Sequence, residues 1–367
     1  MKKHGIIIFM VLILPLAGLL KSCLPDGEYK IAVNYQPAQN GDGWEISDAA
    51  SEGFNTGRLQ EVYDMMFEQD KFLASRSLLI VKNGKLVSES YFRDKKDIDR
   101  KGNIKGITKS FTSVLAGFAW DRELIDTGNR LYALIPGYFD GDRDKRDITM
   151  EHIFTMQTGL EWDDEIHTRD LFNVNRFPSS IRVVLTKPLI NPAGTVFSCN
   201  EGTPQLAMGV LCSVFGMEQT DSLINKLFKP LGIDDFVWEQ HDDGLHYGGT
   251  GLHLKARDLA RFGQFCLQKG KWDGRQLVSQ DWMNLSTGPV LDPEMTGSPI
   301  QYGYFWWVDP VNNAFLGKGA GGQYLYIVPS LDLVIVHTAT STGGPAYEGI
   351  VPEDFLSLAG RIISSLE

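Results

Sequence analysis

Strand-forming sequence lies near both ends of this chain and helical sequence fills the middle, and this arrangement restricts the fold more than any other feature. Near the start, residues 77–81 and 86–92 flank Asn83-Gly84, a turn pair in which both residues tolerate positive φ. Near the end, residues 304–308, 324–328 and 333–338 have the apolar and β-branched content of strands, with Pro329-Ser330-Leu331-Asp332 separating the last two. Strands so far apart share one core only if the two ends of the chain meet in a sheet. The expected fold is therefore α/β: an antiparallel sheet built from both chain ends, flanked by helices, with a mostly helical inserted domain. Residues 24–100 and 295–367 would form the sheet domain and 101–294 the helical one, after a separate segment 1–23.

The helices are read from spacing. Leu59, Val62, Tyr63, Met66 and Phe67 recur at i, i+3, i+4, i+7 and i+8. Ile107, Phe111, Val114, Leu115 and Phe118 line a second helix over 107–120, and a last one starts near Pro352. The charged run 93–101 reads as a solvated connection. Trp306 and Trp307 are adjacent, so a strand would send one to the core and the other toward a cleft.

The first residues have the pattern of a targeting segment. Lys2 and Lys3 precede an apolar run over 6–20, too short and too near the start for a convincing membrane span. The run closes on Leu20-Lys21-Ser22-Cys23, similar to a bacterial lipobox with Cys23 as the lipid attachment residue. Lys21 is unusual inside such a box, and ordinary signal peptidase cleavage nearby is the alternative. Either way the chain is expected to be exported, and with lipid it would be held at the bacterial cell envelope on the periplasmic side of a membrane. Beyond residue 23, 32 basic side chains face 46 acidic ones, a net −14 that repels phosphate backbones and argues against nucleic acid as a partner. Four cysteines are too few for a disulfide framework in 367 residues. Cys212 and Cys266 lie in apolar helical patterns and are expected to be buried small hydrophobes. The seven histidines show no metal-ligand spacing. The acidic run Glu161, Asp163, Asp164, Glu165 reads as a solvated loop.

Several stretches together resemble the serine β-lactamase-like superfamily of class C β-lactamases, penicillin-binding carboxypeptidases and related esterases, in the branch related to 6-aminohexanoate-dimer hydrolase. They are Thr108-Lys109-Ser110-Phe111-Thr112-Ser113, the run 154–162, Gly248-Gly249-Thr250-Gly251-Leu252 with Ala256 to Gly263, and Tyr302 to Trp307 with Gly321-Gly322-Gln323-Tyr324. The resemblance spans roughly residues 55 to 365 in order. It implies acyl transfer on amide or ester bonds without a cofactor. In such enzymes a serine opens a helix, a lysine three residues on helps take its proton, a tyrosine relays protons, and a glycine-rich strand closes the site.

This chain departs from that pattern twice. The serine position holds Gly106, although Lys109 is present, and no Ser-x-x-Lys occurs elsewhere in the sequence. Ser110 and Ser113 are poor substitutes, one and four residues beyond the lysine. In the run from Pro192 to Gly202, Cys199 occupies the tyrosine position, where it reads as a small buried filler. Gly321, Gly322 and Gln323 keep the glycine-rich strand entry and, by resemblance, would line a substrate; Ala320 stands where some relatives carry a histidine. Three readings follow. One is an exported hydrolase, impaired as written or altered at one residue from an active parent. The second is a non-catalytic lipoprotein binding a small molecule, peptide, cell-wall-like ligand or partner on the same fold. The third is a thiol enzyme in which Lys109 activates Cys199.

Overall fold

The computed structural model describes residues 35–139, 143–173, 179–340 and 349–366, so the segment 1–23 and Cys23 lie outside the described residues. Seven strands form one antiparallel sheet: β1 (Ser75–Lys82), β2 (Lys85–Tyr91), β3 (Gln301–Tyr302), β4 (Trp307–Asp309), β5 (Ala314–Gly319), β6 (Gln323–Val328) and β7 (Leu333–Ala339). Their order is β2-β1-β7-β6-β5-β4-β3, so β1 and β7 join the two ends of the chain, with Leu79 opposite Val336 and Ile80 opposite Ile335. The α/β class and the antiparallel sheet built from both ends are as the sequence implies. Asn83 and Gly84 take φ of 53° and 77°, the left-handed turn that lets β1 fold directly onto β2.

Five helices position the site: α1 (Thr56–Glu68), α2 (Thr108–Trp120), α3 (Thr203–Phe215), α4 (Ala256–Leu267) and α5 (Pro352–Ser364). On one sheet face Phe355 of α5 stacks on Tyr324 at 4.0 Å between ring centres, and Tyr63 of α1 bonds Ser88 of β2. On the other face lies α4, although its sequence falls within 101–294. Gly263 permits the approach, since a Cβ there would sit 2.6 Å from Val334 and 2.7 Å from Leu325. Helix α2 is buried along almost its whole length between the sheet and the helical half, where α3 packs against it.

Four local expectations need correction. The strand over 304–308 bends at Phe305, whose φ is 64°, because the α2 hydroxyls of Ser110 and Ser113 donate to the carbonyls of Phe305 and Tyr304. The run 93–101 is more than a solvated connection. It holds Asp97, buried, with the Arg76 and Arg100 guanidinium groups each 3.4 Å from its carboxylate. Phe67 is exposed, so the buried stripe of α1 ends at Met66. Of the two helical cysteines Cys266 is buried and Cys212 only half-buried.

Candidate active site

The site begins at a strained turn. Asn103 Oδ1 accepts from the Lys105 amide at 2.8 Å and helps hold Lys105 at φ 53°, uncommon for a residue with a side chain. Gly106 follows, in a short 3₁₀ turn leading into α2, pressed against β5. A Cβ at position 106 would lie 2.5 Å from the Lys318 carbonyl oxygen, 3.4 Å from Lys109 Nζ and 3.5 Å from Gly319 Cα. Two strand glycines repeat the fit: a Cβ at Gly317 would meet Ile107 at 2.9 Å, and one at Gly319 would meet the Ile104 carbonyl at 2.4 Å. Backbone packs on backbone here, and the space a side chain at 106 would need is filled.

Lys109 is buried, and its Nζ donates to Glu201 Oε1 at 3.1 Å. Burial opposes its charge, but the Glu201 carboxylate, with Cys199 and Asp164 assisting, more than offsets that and raises its pKa above the ordinary value. An ammonium held so firmly is a poor proton acceptor. Glu201 is placed by three neighbours. Asn200 Oδ1 accepts from the Thr203 amide at 2.7 Å and fixes the turn into α3. Asp164 accepts from the Glu201 amide at 2.9 Å and from Trp162 Nε1 at 2.8 Å. Gly249 leaves room for the carboxylate, since a Cβ there would be 2.9 Å from Glu201 Oε2. Asp164 is therefore a tether, where the sequence suggested only a solvated loop.

Cys199 is exposed and not the expected buried filler. The loop that places it is pinned by the Ser198 amide donating to the Met156 carbonyl at 2.9 Å. Protein packed around its recess raises the thiol pKa above the ordinary value, outweighing the pull of Lys109 and Lys318. The thiol reading loses its activated nucleophile. Lys318 places its ammonium 4.2 Å from the Trp307 ring centre, and burial lowers its pKa. Both tryptophans of the expected in-and-out pair are buried: Trp306 stacks near Phe262, and Trp307 meets Phe197 edge-on at 5.7 Å.

The structure thus gathers Gly106, Lys109 and Cys199, but it gives Gln323 different work. Gln323 is buried, donating to the Ala339 carbonyl at 2.8 Å and accepting from the Ala339 amide at 3.2 Å, so its amide joins β6 to β7 instead of facing a substrate. Gly321 and Gly322 turn the chain at φ 78° and 89°, and the Gly322 carbonyl accepts from His337 Nδ1 at 2.7 Å. Ser110 and Ser113 donate to backbone carbonyls of 305 and 304 and are buried away from the cleft. Glu201 and Lys318 join the site although the sequence marks neither as a site residue. Their one signal was position, two residues after Cys199 and one before Gly319.

The family model for beta-lactamase matches residues 66–353, well over half of the chain. The chain belongs to the beta-lactamase family. It is 24% identical over 287 residues to a 6-aminohexanoate-dimer hydrolase of Paenarthrobacter ureafaciens, covering 71% of each. Among solved structures it resembles a penicillin-binding protein homologue from Caulobacter crescentus, with a TM-score of 0.67, 16% identity, and 84% of this chain and 97% of that one covered. It also resembles a class C beta-lactamase, with a TM-score of 0.65, 16% identity, and 88% and 99% covered. Those two likenesses speak to the fold. The beta-lactamase scaffold is therefore present here around a helix start that carries glycine.

Proposed function

We propose that this chain is an exported lipoprotein of the beta-lactamase family whose cleft holds a small-molecule, peptide or cell-wall-like ligand and does not turn it over through a serine acyl-enzyme. One observation carries the reading: the Lys318 carbonyl lies 2.5 Å from where a Cβ at 106 would be, so the nucleophile and the room for it are both missing. Loss of a serine hydrolase nucleophile costs on the order of 10⁶ in turnover. The pairing of Lys109 with Glu201 adds support, because a lysine held as a cation suits an electrostatic role better than proton abstraction. The names of the relatives point to amide, β-lactam and cell-wall-like chemistry as the classes from which a ligand would come. Purified protein is expected to leave a chromogenic cephalosporin and p-nitrophenyl butyrate at background. Its intact mass should stay unchanged after a fluorophosphonate. Turnover at ordinary hydrolase rates, or a stoichiometric adduct, would overturn the proposal.

A further inference from the structure

A second recess opens at the opposite end of the sheet from Gly106. Gly84, in the β1–β2 turn, lines it, whereas the cleft end of β1 is Ser75, opposite Ala339. An eight-residue strand such as β1 spans about 23 Å, so the two sites do not overlap. The recess has a volume of about 680 Å³ and is framed by Trp44, the polar side of α4 at Arg261, Gln264 and Gln268, and Trp272.

One wall is fixed by a tight turn. Trp272 sits on a minimal hairpin, Lys271–Trp272 against Arg275–Gln276, closed by Asp273 and Gly274 at φ 44° and 77°. The Arg261 guanidinium lies 5.6 Å from the Trp44 ring centre and steadies that indole, while also donating to Asp258 and to the Asp42 carbonyl. Both indoles are half-buried, each leaving part of its ring uncovered. Two polar groups of the lining are unpaired: the donor Trp44 Nε1 and the acceptor Gln264 Oε1, in a glutamine that is only 3% exposed. Leaving such a group buried and unmatched forfeits its hydrogen bond to water, so a ligand that pairs with it is favoured. Among the charged lining residues, Glu45 and Asp273 balance Arg261 and Lys271, so the recess selects no net charge.

Flat indoles, neutral amides, balanced charge, an orphaned donor and an orphaned acceptor together describe a site for a neutral polyhydroxylated ligand. Sugar rings offer apolar C–H faces to the indoles, and each hydroxyl both donates and accepts. We infer that this recess is a saccharide-binding site, separate from the cleft, built on Trp44, Trp272 and Gln264. Both orphaned atoms are themselves shielded, so pairing them with a ligand requires the lining to shift and expose them.

The test is titration of the full chain with cellotetraose and with chitotetraose, which separates plain hydroxyl from acetamido recognition, followed by calorimetry and by the Trp44 indole N–H resonance. At least one probe is expected to bind with a dissociation constant on the order of 1 mM or tighter and to shift that resonance. Trp272→Ala and Gln264→Leu should each weaken binding by roughly tenfold, and Trp272→Phe should keep most of it. Trp272 is on a surface hairpin, and an unchanged melting temperature would separate lost binding from lost folding. If neither sugar moves the Trp44 resonance of the unaltered chain, or binding survives the loss of both indoles, the inference fails.

Discussion

Gly106 lacks a nucleophile, and the neighbouring strand has closed over the place where one would stand. Gly106→Ser should therefore not restore acylation. Its Cβ would meet a backbone oxygen at 2.5 Å, so β5 or the start of α2 must move, an overpacking cost of roughly 1–3 kcal/mol. The expected outcome is a lower melting temperature and no fluorophosphonate adduct; a variant of unchanged stability that labels readily would show that the strand yields at no cost. His337 allows a prediction in pH. It is fully buried, its Nδ1 donates to the Gly322 carbonyl and its Nε2 pairs with Ser75 at 2.8 Å, and burial lowers its pKa from 6.5 to about 4. The unfolded chain takes up this proton near pH 6.5 and the folded chain only near 4, so His337 costs stability as the pH falls through that window and no more below it. The loss is at most roughly 3 kcal/mol. Asp258, which burial raises to about 6, acts in the opposite sense, so the measurement is the difference between the unaltered chain and His337→Gln in urea midpoints at pH 7 and 4.5. Equal acid sensitivity in both would refute the assignment. Lys109 was legible through the family resemblance of the run 108–113. Glu201, 92 residues away, was not, because an acid in a loop leaves no periodic trace and only folding brings it to the lysine.

Helix α4 shows what an apparently catalytic-family motif does at the scale of an element. In the run from Ala256 to Gly263, Arg257 donates to Glu89 Oε1 at 2.7 Å and Oε2 at 2.5 Å, to Asp42 at 3.0 Å and to the Ala38 carbonyl at 2.7 Å. Both Arg257 and Glu89 are almost wholly buried, so the pair ties α4 and the N-terminal segment to β2. Removing one partner strands a buried charge, and Arg257→Ala should cost about 3–5 kcal/mol in urea denaturation. Arg257→Met combined with Glu89→Met should cost less than the two single changes added, because neither charge is then left alone. Strict additivity would mean that the two side chains do not act as a pair. The helices and the Asn83-Gly84 hairpin were readable because a 3.6-residue stripe and a left-handed turn pair each leave a local pattern. Strand β5 leaves no such pattern, since Gly317, Lys318 and Gly319 interrupt its apolar alternation. Those same glycines let it abut α2.

At the scale of the whole molecule, strand signal at both ends was enough to read the sheet, because no other arrangement buries both sets. How the N-terminal segment finishes that sheet was not readable. Beyond β2 the Glu89 amide donates to the Tyr35 carbonyl at 2.8 Å and the Leu86 amide to the Glu45 carbonyl at 2.9 Å, so this segment covers part of an edge that would otherwise be open to pairing. Tyr35 also stacks on Tyr63 at 5.0 Å, which ties the start of the described residues to α1. From Cys23 to Tyr35 the chain reaches at most about 40 Å. A lipid on Cys23 would therefore hold the folded body within that distance of the membrane surface. One acyl chain binds only marginally, and stable anchoring needs more than one. In a bacterial host with lipoprotein processing, Cys23→Ala should move the protein from the membrane to the soluble fraction. Its melting temperature should not change, because the clamp of Arg257 on Asp42 and the stacking of Tyr35 lie beyond the anchor. If the unaltered chain already fractionates as soluble, with its mature N-terminus at a residue other than 23, the lipid anchor is refuted and ordinary signal peptidase cleavage takes its place. If instead Cys23→Ala lowers the melting temperature, residues before Tyr35 contribute to the stability of the fold.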